Sequence, residues 1–423
     1  MTAPIWEHVR DDFALNPSPR HFAAMMVSTH PRPVRAAIAR YRKELDEQPW
    51  VTVKSNLHAA EEGVCYAASA YFGVRPADVG LVDGTTQGLS LLYSGLKIAP
   101  DQEILTTARE FHGALHSLDV RAQQCMVNGG SGAIPLRRIP LFPDPATVTE
   151  QDVLDTLKRE IDRARTRVLA LSWVYSNSGV KLPIARIAAL VAEINASAAR
   201  QDPERKLLFC VDGVVGLGVE DATFEELGCD FFVAGCHKML YGPRGTGIWA
   251  GRPEAWQQCA AIAPTSSREN FVGRAHSPGG IHSYEQRWAL KHAFDYLRRL
   301  GKSRITARIQ ELTDRFKAGL AAMSPRVRMV TPRTGAMSSS LVCFDVRDQF
   351  PGPFVTKLEG AGILATVAPT DVEIDERTGQ VKRTCGPKQQ DECLIAHVRV
   401  ALSIFHLESD VDACLEAIDR LAT

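Results

Sequence analysis

Until about residue 280, short apolar runs alternate along the chain with longer runs of helical periodicity. Runs such as Val168–Val174 and Phe231–Ala234 are almost continuously apolar, as a strand buried on both faces of a sheet requires. Their alternation with helices predicts βαβ units, and therefore an α/β fold built on a mostly parallel sheet. The predicted strands are 80–82, 103–107, 138–142, 168–174, 207–211, 231–234 and 247–250, and the predicted helices are 34–45, 58–72, 86–96, 112–124, 150–165, 184–199, 224–227 and 253–261.

The pattern changes after Gly280, where two long helical runs precede a mixed succession of shorter strands and helices. Such a succession predicts a second, smaller α+β domain. We expect three units: an N-terminal segment, 1–45, that packs with the small domain and the active site; a large α/β domain, 46–283; and a small domain, 284–423.

Composition narrows the class of protein. Hydrophobic residues make up 45% and charged residues 23%, as in soluble globular proteins. Lys+Arg and Asp+Glu are 49 each, so neither a nucleic acid nor a charged membrane surface is an expected partner. No apolar run reaches the ~18 residues of a membrane helix, and the N-terminus lacks the form of a signal peptide. The ten cysteines are scattered without CxxC pairs, which favours reduced thiols, a cytoplasmic location and no metal site.

A small polar motif, Asp-Gly-Thr-Thr-Gln-Gly at 83–88, stands between a predicted strand and a predicted helix. Free backbone N–H groups and the hydroxyls of Thr85 and Thr86 at a helix N-terminus suit a phosphate group. The same residues could equally serve as an ordinary N-cap.

An acid and a lysine follow two consecutive predicted strands. Asp212 directly follows the predicted strand that ends at Val211. Lys238 comes twenty-six residues after Asp212 and follows the next long strand. Because the carboxyl ends of parallel strands meet at one edge of a sheet, both side chains can face one ligand. A buried carboxylate is stabilised by a cation, such as a protonated pyridine nitrogen. A buried amine has a lowered pKa and can form a Schiff base. A helix cap at Asp212 and a surface charge at Lys238 are the alternatives.

Two further residues carry candidate chemistry. Arg399 lies within an apolar strand, and a buried guanidinium there suits an α-carboxylate. The alternative is an arginine on an edge strand that faces solvent. His237, beside Lys238, could donate to a phosphate or pack structurally.

Together these motifs resemble the class V aminotransferase family of pyridoxal-phosphate (PLP) enzymes, of fold type I. Asp212-Gly213, followed by Leu-Gly-Cys-Asp-Phe at 227–231, His237-Lys238 and Gly-Pro-Arg-Gly-Thr-Gly at 242–247, is similar to the family's lysine signature. The opening residues 28–34 and 45–49 most resemble its isopenicillin N epimerase-like branch, which is related to cysteine desulfurases. The resemblance implies PLP as cofactor, an amino-acid-like substrate, and a homodimer whose large domain holds a mostly parallel seven-stranded sheet.

Position by position, the resemblance also implies roles for single residues. Lys238 carries the cofactor as a Schiff base and Asp212 pairs with its pyridine nitrogen. The remaining implied roles are phosphate binding by Thr85, Thr86 and His237, a contact of Asn177 with the 3′-oxygen, stacking by Phe111, carboxylate binding by Arg399, and a loop at Gly279-Gly280 that reaches the partner subunit's phosphate. The chain departs from the family pattern at Val215 and Gly235, where side chains that hydrogen-bond are usual, and at Phe111, where many desulfurases have His.

The reaction itself stays open at this point. A carbanion at the Cα of an amino acid can be reprotonated, can eliminate a substituent, can react with oxygen or can lead to transamination. We expect an epimerase- or racemase-like enzyme, with C–S cleavage of the desulfurase type or an oxidase as alternatives and a non-catalytic PLP-binding subunit as a remote one. The candidate second acids are His30, His112, Tyr241 and His282, of which His282 could instead bind substrate.

Cys385 is the candidate thiol for a desulfurase reaction, although its position favours an incidental surface thiol over a nucleophile. It lies in the polar stretch 371–388, which contains a hairpin-turn signal at 375–379 and is interpreted as an exposed excursion.

Overall fold

The computed structural model describes residues 6–127, 133–263, 270–369, 372–374, 381–384 and 396–423. Its helices are α1 (Trp6–Asp11), α2 (Arg32–Glu47), α3 (Pro49–Phe72), α4 (Thr85–Gly95), α5 (His112–Val127), α6 (Glu150–Glu160), α7 (Ile184–Asn195), α8 (Phe224–Leu227), α9 (Pro253–Trp256), α10 (Val272–Ala275), α11 (Tyr284–Leu300), α12 (Lys302–Ala322), α13 (Pro351–Gly360) and α14 (Glu408–Leu421). Its strands are β1 (Arg20–His21), β2 (Val79–Val82), β3 (Glu103–Thr107), β4 (Leu136–Ile139), β5 (Thr166–Ser172), β6 (Leu208–Asp212), β7 (Phe231–Gly235), β8 (Gly247–Gly251), β9 (Val327–Met329), β10 (Leu341–Val346), β11 (Ile363–Leu364), β12 (Thr366–Pro369), β13 (Val372–Ile374), β14 (Val381–Thr384) and β15 (Ala396–Ala401). None of the helices in these ranges is long and apolar enough to span a bilayer.

A seven-stranded sheet in the order β2-β8-β7-β6-β5-β3-β4 forms the centre of the molecule. The pairs from β7 through β6, β5 and β3 to β4 are parallel, and β8 runs antiparallel to both of its neighbours. The predicted α/β fold with a mostly parallel sheet is therefore confirmed. The register pairs Ser172 with Asp212 and Asp212 with Val233, so β5, β6 and β7 end along one edge.

Both faces of this sheet are buried, which explains the continuously apolar strands. Leu169 and Leu171 of β5 enter one hydrophobic core, whereas Val168 and Ala170 enter another on the opposite face. Successive side chains of a strand point to opposite faces, so a strand between two cores must be apolar at every position.

A second sheet of four antiparallel strands, in the order β12-β15-β10-β9, belongs to the C-terminal part of the chain. Residues of α12 and α14, such as Phe316 and Ile418, share one core with Phe344 and Val400 of this sheet. This α+β arrangement agrees with the predicted small domain, while the boundaries at residues 45 and 283 stay predictions. β13 and β14 pair antiparallel on either side of the predicted turn at 375–379, and that turn and Cys385 lie outside the described residues.

The N-terminal segment is bound to the C-terminal part of the molecule. β1 pairs in parallel with β11, and Ala401 N–H donates to the carbonyl of Phe22 at 2.9 Å. Arg10 and Arg20 both form ion pairs with the buried carboxylate of Asp410 on α14. Residues 20–22 are thus fixed beside β15, the strand that carries Arg399.

Several predicted helices have different bounds in the structure: 184–199 ends at Asn195 and 253–261 at Trp256, and α3 and α6 differ as follows. α3 begins at Pro49 rather than residue 58, because proline fits the first turn of a helix, where its missing N–H costs nothing. α6 ends at Glu160 rather than residue 165, because the Asp162 side chain accepts from the N–H groups of Ala164 and Arg165 and stabilises a turn.

Candidate active site

Asp212 lies at the carboxyl end of β6 and is only 4% exposed. Its Oδ1 accepts from Val214 N–H at 3.1 Å. Burial raises its pKa to about 6, while the Val214 N–H and the charge of Lys238 act in the opposite direction. A carboxyl in these surroundings gains most from a cationic partner, such as a protonated ring nitrogen.

Lys238 follows the end of β7 by three residues, and its side chain is partly buried. Burial lowers the pKa of its amine to about 8, the charge of Arg399 lowers it further, and Asp212 raises it. The Nζ atom lies 5.9 Å from the centroid of the Phe111 ring. An amine with such a pKa is available in its neutral, nucleophilic form near neutral pH.

The start of α4 forms the candidate phosphate site. The helix begins at Thr85, directly after the extended Gly84, so that the first N–H groups of the helix lack partners within it. Thr85 Oγ1 accepts from Gly235 N–H at 2.8 Å, which joins the start of α4 to the end of β7. A Cβ at Gly235 would lie 2.9 Å from that hydroxyl, so glycine leaves room for the bond. Thr86 is exposed beside it.

Phe111 and Asn177 lie on the loops that follow β3 and β5. Gly113 leaves space for the Phe111 ring beside Thr86, since a Cβ there would be 2.8 Å from Phe111 Cε1 and 3.2 Å from Thr86 Oγ1. Asn177 Nδ2 donates to the Arg109 carbonyl at 3.1 Å. Its Oδ1 is buried and has no hydrogen-bond partner within the described ranges, so it can accept from a ligand.

Arg399 is a buried cation on β15, only 4% exposed. Its guanidinium donates from Nε to Thr366 Oγ1 at 3.0 Å, from Nη1 to the Ser176 carbonyl at 2.7 Å and from Nη2 to the thioether of Met26 at 3.3 Å. It forms no ion pair with an acid in the part of the chain that the structure covers, and burial lowers its pKa. A desolvated guanidinium held by neutral acceptors alone favours an anionic ligand such as a carboxylate.

The candidate histidines differ in their surroundings. His30 is buried, with Nδ1 3.3 Å from the Tyr241 carbonyl, and it follows Ser28, whose N–H donates to the His237 carbonyl at 3.0 Å. Burial and the charges of Lys238 and Arg244 lower the pKa of His237 to about 4, so its ring is neutral at physiological pH. A neutral imidazole can donate a hydrogen bond to a phosphate oxygen.

The other predicted candidates lie on or near the loops around this edge. His112 is exposed beside Phe111, at 4.1 Å between ring centroids. His282 uses both ring nitrogens, with Nε2 3.1 Å from the Pro278 carbonyl and Nδ1 3.1 Å from Arg287 Nη2. Gly279 and Gly280 are exposed in the same loop.

Tyr241 is a buried core residue and not an accessible acid. Its hydroxyl accepts from Ile404 N–H at 3.3 Å, its ring packs edge-on against Phe13 at 5.2 Å, and burial raises its pKa to about 12.

Two residues with contacts in this region were not singled out by sequence reasoning. Met26, on the N-terminal segment, contacts Arg399, and Glu110 is buried between the ends of β3 and β5. Glu110 directly precedes Phe111, but the Arg399 partner of Met26 and two of the three partners of Glu110 are far away along the chain.

The residues at this edge fit pyridoxal phosphate. The buried Asp212 suits a pyridinium nitrogen, and the start of α4 suits a phosphate. The Oδ1 of Asn177, which has no partner among the described residues, borders the site, and the amine of Lys238 suits the aldehyde. A lysine and an acid at the ends of neighbouring parallel strands define a PLP-dependent enzyme of fold type I.

Comparison with known proteins gives the family. The model described as "Aminotransferase class-V" matches residues 30–413, and the chain belongs to this family of PLP-dependent enzymes. A cysteine desulfurase of Klebsiella pneumoniae subsp. pneumoniae is 30% identical over 390 residues, covering 88% of this chain and 84% of that protein. Isopenicillin N epimerase of Amycolatopsis lactamdurans is 24% identical over 371 residues, covering 81% of this chain and 85% of the relative.

The fold agrees with a solved structure. The apo cysteine desulfurase of Thermococcus onnurineus NA1 superposes with a TM-score of 0.77 at 18% identity, covering 100% of this chain and 98% of that one. The enzyme class, the cofactor and fold type I that the sequence predicts are therefore confirmed, and the relatives include enzymes of both lyase and isomerase type.

Proposed function

We propose that this PLP enzyme removes the Cα proton of an α-amino acid and returns a proton to the same carbon, as an epimerase or racemase does. The observation that carries the proposal is the position of Lys238, three residues after the end of β7, with its Nζ 5.9 Å from the centroid of the Phe111 ring. Burial lowers the pKa of this amine to about 8, under the opposing influences of Asp212 and Arg399. A general base works best when its pKa lies near the operating pH. Bound PLP supplies the electron sink that acidifies the Cα–H bond.

The other residues position the reactants. Arg399, buried without an anionic partner in the described ranges, binds the α-carboxylate and so turns Cα toward Lys238. Asp212 keeps the pyridine nitrogen protonated. The cofactor is held by the N–H groups and hydroxyls at Thr85 and Thr86, by His237, Asn177 and Phe111.

Inversion at Cα requires a second proton carrier besides Lys238. His30 and His112 are the candidates: His30 lies on the segment that contacts the His237 carbonyl, and His112 lies beside Phe111. Of the two, we favour His30, because it is buried next to the residues that flank Lys238, whereas His112 is exposed. His30→Gln should slow inversion more than proton exchange at Cα, while His112→Gln serves as its comparison.

C–S bond cleavage is the second candidate function, which the desulfurase relatives favour. Transfer of sulfur to the enzyme needs an accessible thiolate. Burial raises the pKa of every cysteine whose side chain is described, namely Cys65, Cys210, Cys229, Cys236, Cys259, Cys343 and Cys414. A desulfurase reaction would therefore depend on Cys125, Cys385 or Cys393, which lie outside the described side chains.

The experiment is incubation of the PLP-loaded enzyme with single L-amino acids in D₂O. Deuterium at Cα together with loss of optical rotation, without pyruvate, sulfide or peroxide, supports epimerisation. Release of sulfide from cysteine without inversion selects C–S cleavage instead. Lys238→Ala should lower the exchange rate by about 10²–10⁴-fold, the usual contribution of a general base.

A homodimer is the proposed assembly. Ile281, next to Gly279 and Gly280, is 88% exposed, and Trp50 and Tyr66 on α3 are 72% and 57% exposed. Exposed large apolar side chains favour burial against another protein surface, here a second copy of the chain.

A further inference from the structure

Glu110 is a buried carboxyl that the proposed function does not use. It is 5% exposed and accepts four hydrogen bonds from three residues. Its Oε2 accepts from the N–H of Ser172 at 2.9 Å and from the Ser172 hydroxyl at 2.5 Å. Its Oε1 accepts from Thr107 Oγ1 at 2.8 Å and from the Tyr175 hydroxyl at 3.1 Å.

These bonds join the strand ends that form the candidate site. Thr107 is the last residue of β3 and Ser172 the last of β5, and Ser172 pairs in register with Asp212. Glu110 therefore joins two strands beside the one that presents Asp212 to the cofactor.

The neighbours of Glu110 in the chain contact the cofactor site as well. The carbonyl of Arg109 accepts from Asn177 Nδ2 at 3.1 Å, and Phe111 lies below the amine of Lys238. Movement of Glu110 would displace the stacking ring and the partner of Asn177 together.

The titratable groups that face Glu110 in the described ranges are acids and phenols, without a basic side chain to balance its charge. Tyr175 from the loop after β5, Tyr93 from α4 and Asp212 from β6 are the titratable groups that face it, and it forms no ion pair with a basic side chain in the described ranges. Burial, and to a smaller extent the charge of Asp212, raises the pKa of Glu110 to about 7. The hydrogen bonds that its carboxylate accepts act in the opposite direction and lower this pKa. Its charge therefore changes near neutral pH, close to Asp212.

We propose that Glu110 is a positioning residue of the PLP site, which fixes the loop bearing Phe111 and the Asn177 contact and sets the electrostatic surroundings of Asp212. It acts through these residues and does not touch the substrate. The inference rests on the proposed function, in which Phe111, Asn177 and Asp212 hold the cofactor.

The first test measures the Kd for PLP by fluorescence titration of the apoprotein, with thermal unfolding of each variant in parallel. Glu103 offers a matched control: it is also buried but lies at the opposite end of β3, and it accepts from Thr166 Oγ1 at 2.7 Å and Arg137 Nη2 at 3.1 Å. Glu110→Ala should raise the Kd about tenfold or more, because several buried donors lose their acceptor, whereas Glu103→Ala should change it by less than about twofold. Equal effects of the two variants on the Kd would overturn the inference.

The second test separates the charge of Glu110 from its shape. In wild type, ionisation of Glu110 adds negative charge near Asp212 and favours the protonated ring, which Glu110→Gln cannot reproduce. The ratio of the Kd of Glu110→Gln to that of wild type should rise at least about threefold between about pH 6 and pH 8. A ratio that is constant with pH would contradict the electrostatic part of the inference.

Failure of the proposed function would look different. In that case the incubation in D₂O would show no inversion at Cα, while the Kd for PLP would still depend on the side chain at position 110.

Discussion

Lys238 and Lys317 show how surroundings, and not the amine alone, make a reactive residue. Burial lowers the pKa of both to about 8. Lys317 donates to the Ser338 hydroxyl at 2.5 Å, inside the small domain. Lys238 is subject instead to the charges of Asp212 and Arg399 at the edge of the large sheet.

Borohydride reduction of the PLP-loaded protein should therefore label Lys238 and leave Lys317 unmodified. Peptide mass spectrometry locates the reduced cofactor. Label on Lys317 at a comparable yield would show that a low pKa is sufficient and that the neighbours of Lys238 are irrelevant. Lys317→Met is the matched control, and it should keep the yellow chromophore that Lys238→Ala loses.

Asp212 and Lys238 could be predicted from the sequence, but Met26 and Glu110 could not. The first pair follows strands that are recognisable by apolar residues at every position, and parallel strands bring their ends together. Met26 and Arg399 are 373 positions apart, and Glu110 meets Ser172 and Tyr175 across 62 and 65 positions. No local pattern encodes such contacts, because they arise only when separate strands and loops pack.

At the scale of elements, strands were more predictable than helix ends. β3 has the predicted bounds, because every one of its positions is buried. The end of α6 instead depends on a side-chain bond of Asp162, which competes with the helix and leaves only a weak signal in the sequence.

The loop 22–28 contacts Arg399, the residue proposed to bind the substrate carboxylate. It is anchored by Ala401 N–H on the Phe22 carbonyl and by Ser28 N–H on the His237 carbonyl, and its exposed Met26 offers Arg399 a thioether at 3.3 Å. A thioether is a weak acceptor, so the α-carboxylate of a substrate can replace it.

Met26→Glu should raise the KM for an amino acid about tenfold or more, since a tethered carboxylate competes for the guanidinium. The neighbouring Val27 is 43% exposed, and Val27→Glu adds the same charge without a side-chain contact to Arg399, so its KM should change by less than about twofold. Equal KM values for the two variants would show that Met26 does not occupy the carboxylate site.

At the scale of the whole molecule, the buried acids of the site weaken the fold of the apoprotein as pH rises. Glu110, ordinarily near 4.5, has its pKa raised to about 7, so between these values the folded state binds a proton that the unfolded state has lost. The contribution of Glu110 to stability therefore falls as pH rises through this window, by roughly 1.4 kcal/mol per pH unit for this one proton.

Urea unfolding of the apoprotein between about pH 5 and pH 7 checks this expectation. The free energy of unfolding of wild type should fall relative to that of Glu110→Gln across the range, because only wild type releases the proton of Glu110, whereas Asp212 and the buried histidines titrate in both proteins. Parallel pH profiles for the two proteins would contradict the raised pKa of Glu110.

The proposed dimer is tested at the same scale. Light scattering should give about twice the 46.4 kDa of one chain. Ile281→Glu should weaken association by placing a charge in the interface, whereas Phe350→Glu, at a residue 57% exposed before α13, should not. A monomeric wild type would remove the proposed role of Gly279 and Gly280.

The contact between Arg399 and the N-terminal segment also has a consequence for the order in which the site forms during synthesis. During synthesis, Met26 leaves the ribosome hundreds of residues before Arg399, while Thr85, Asp212 and Lys238 emerge in between. The residues of one chain that are proposed to hold PLP thus emerge well before the arginine proposed to recognise the amino acid. A nascent chain that has exposed its large sheet carries its own residues for the cofactor, whereas the arginine for the substrate follows more than a hundred residues later.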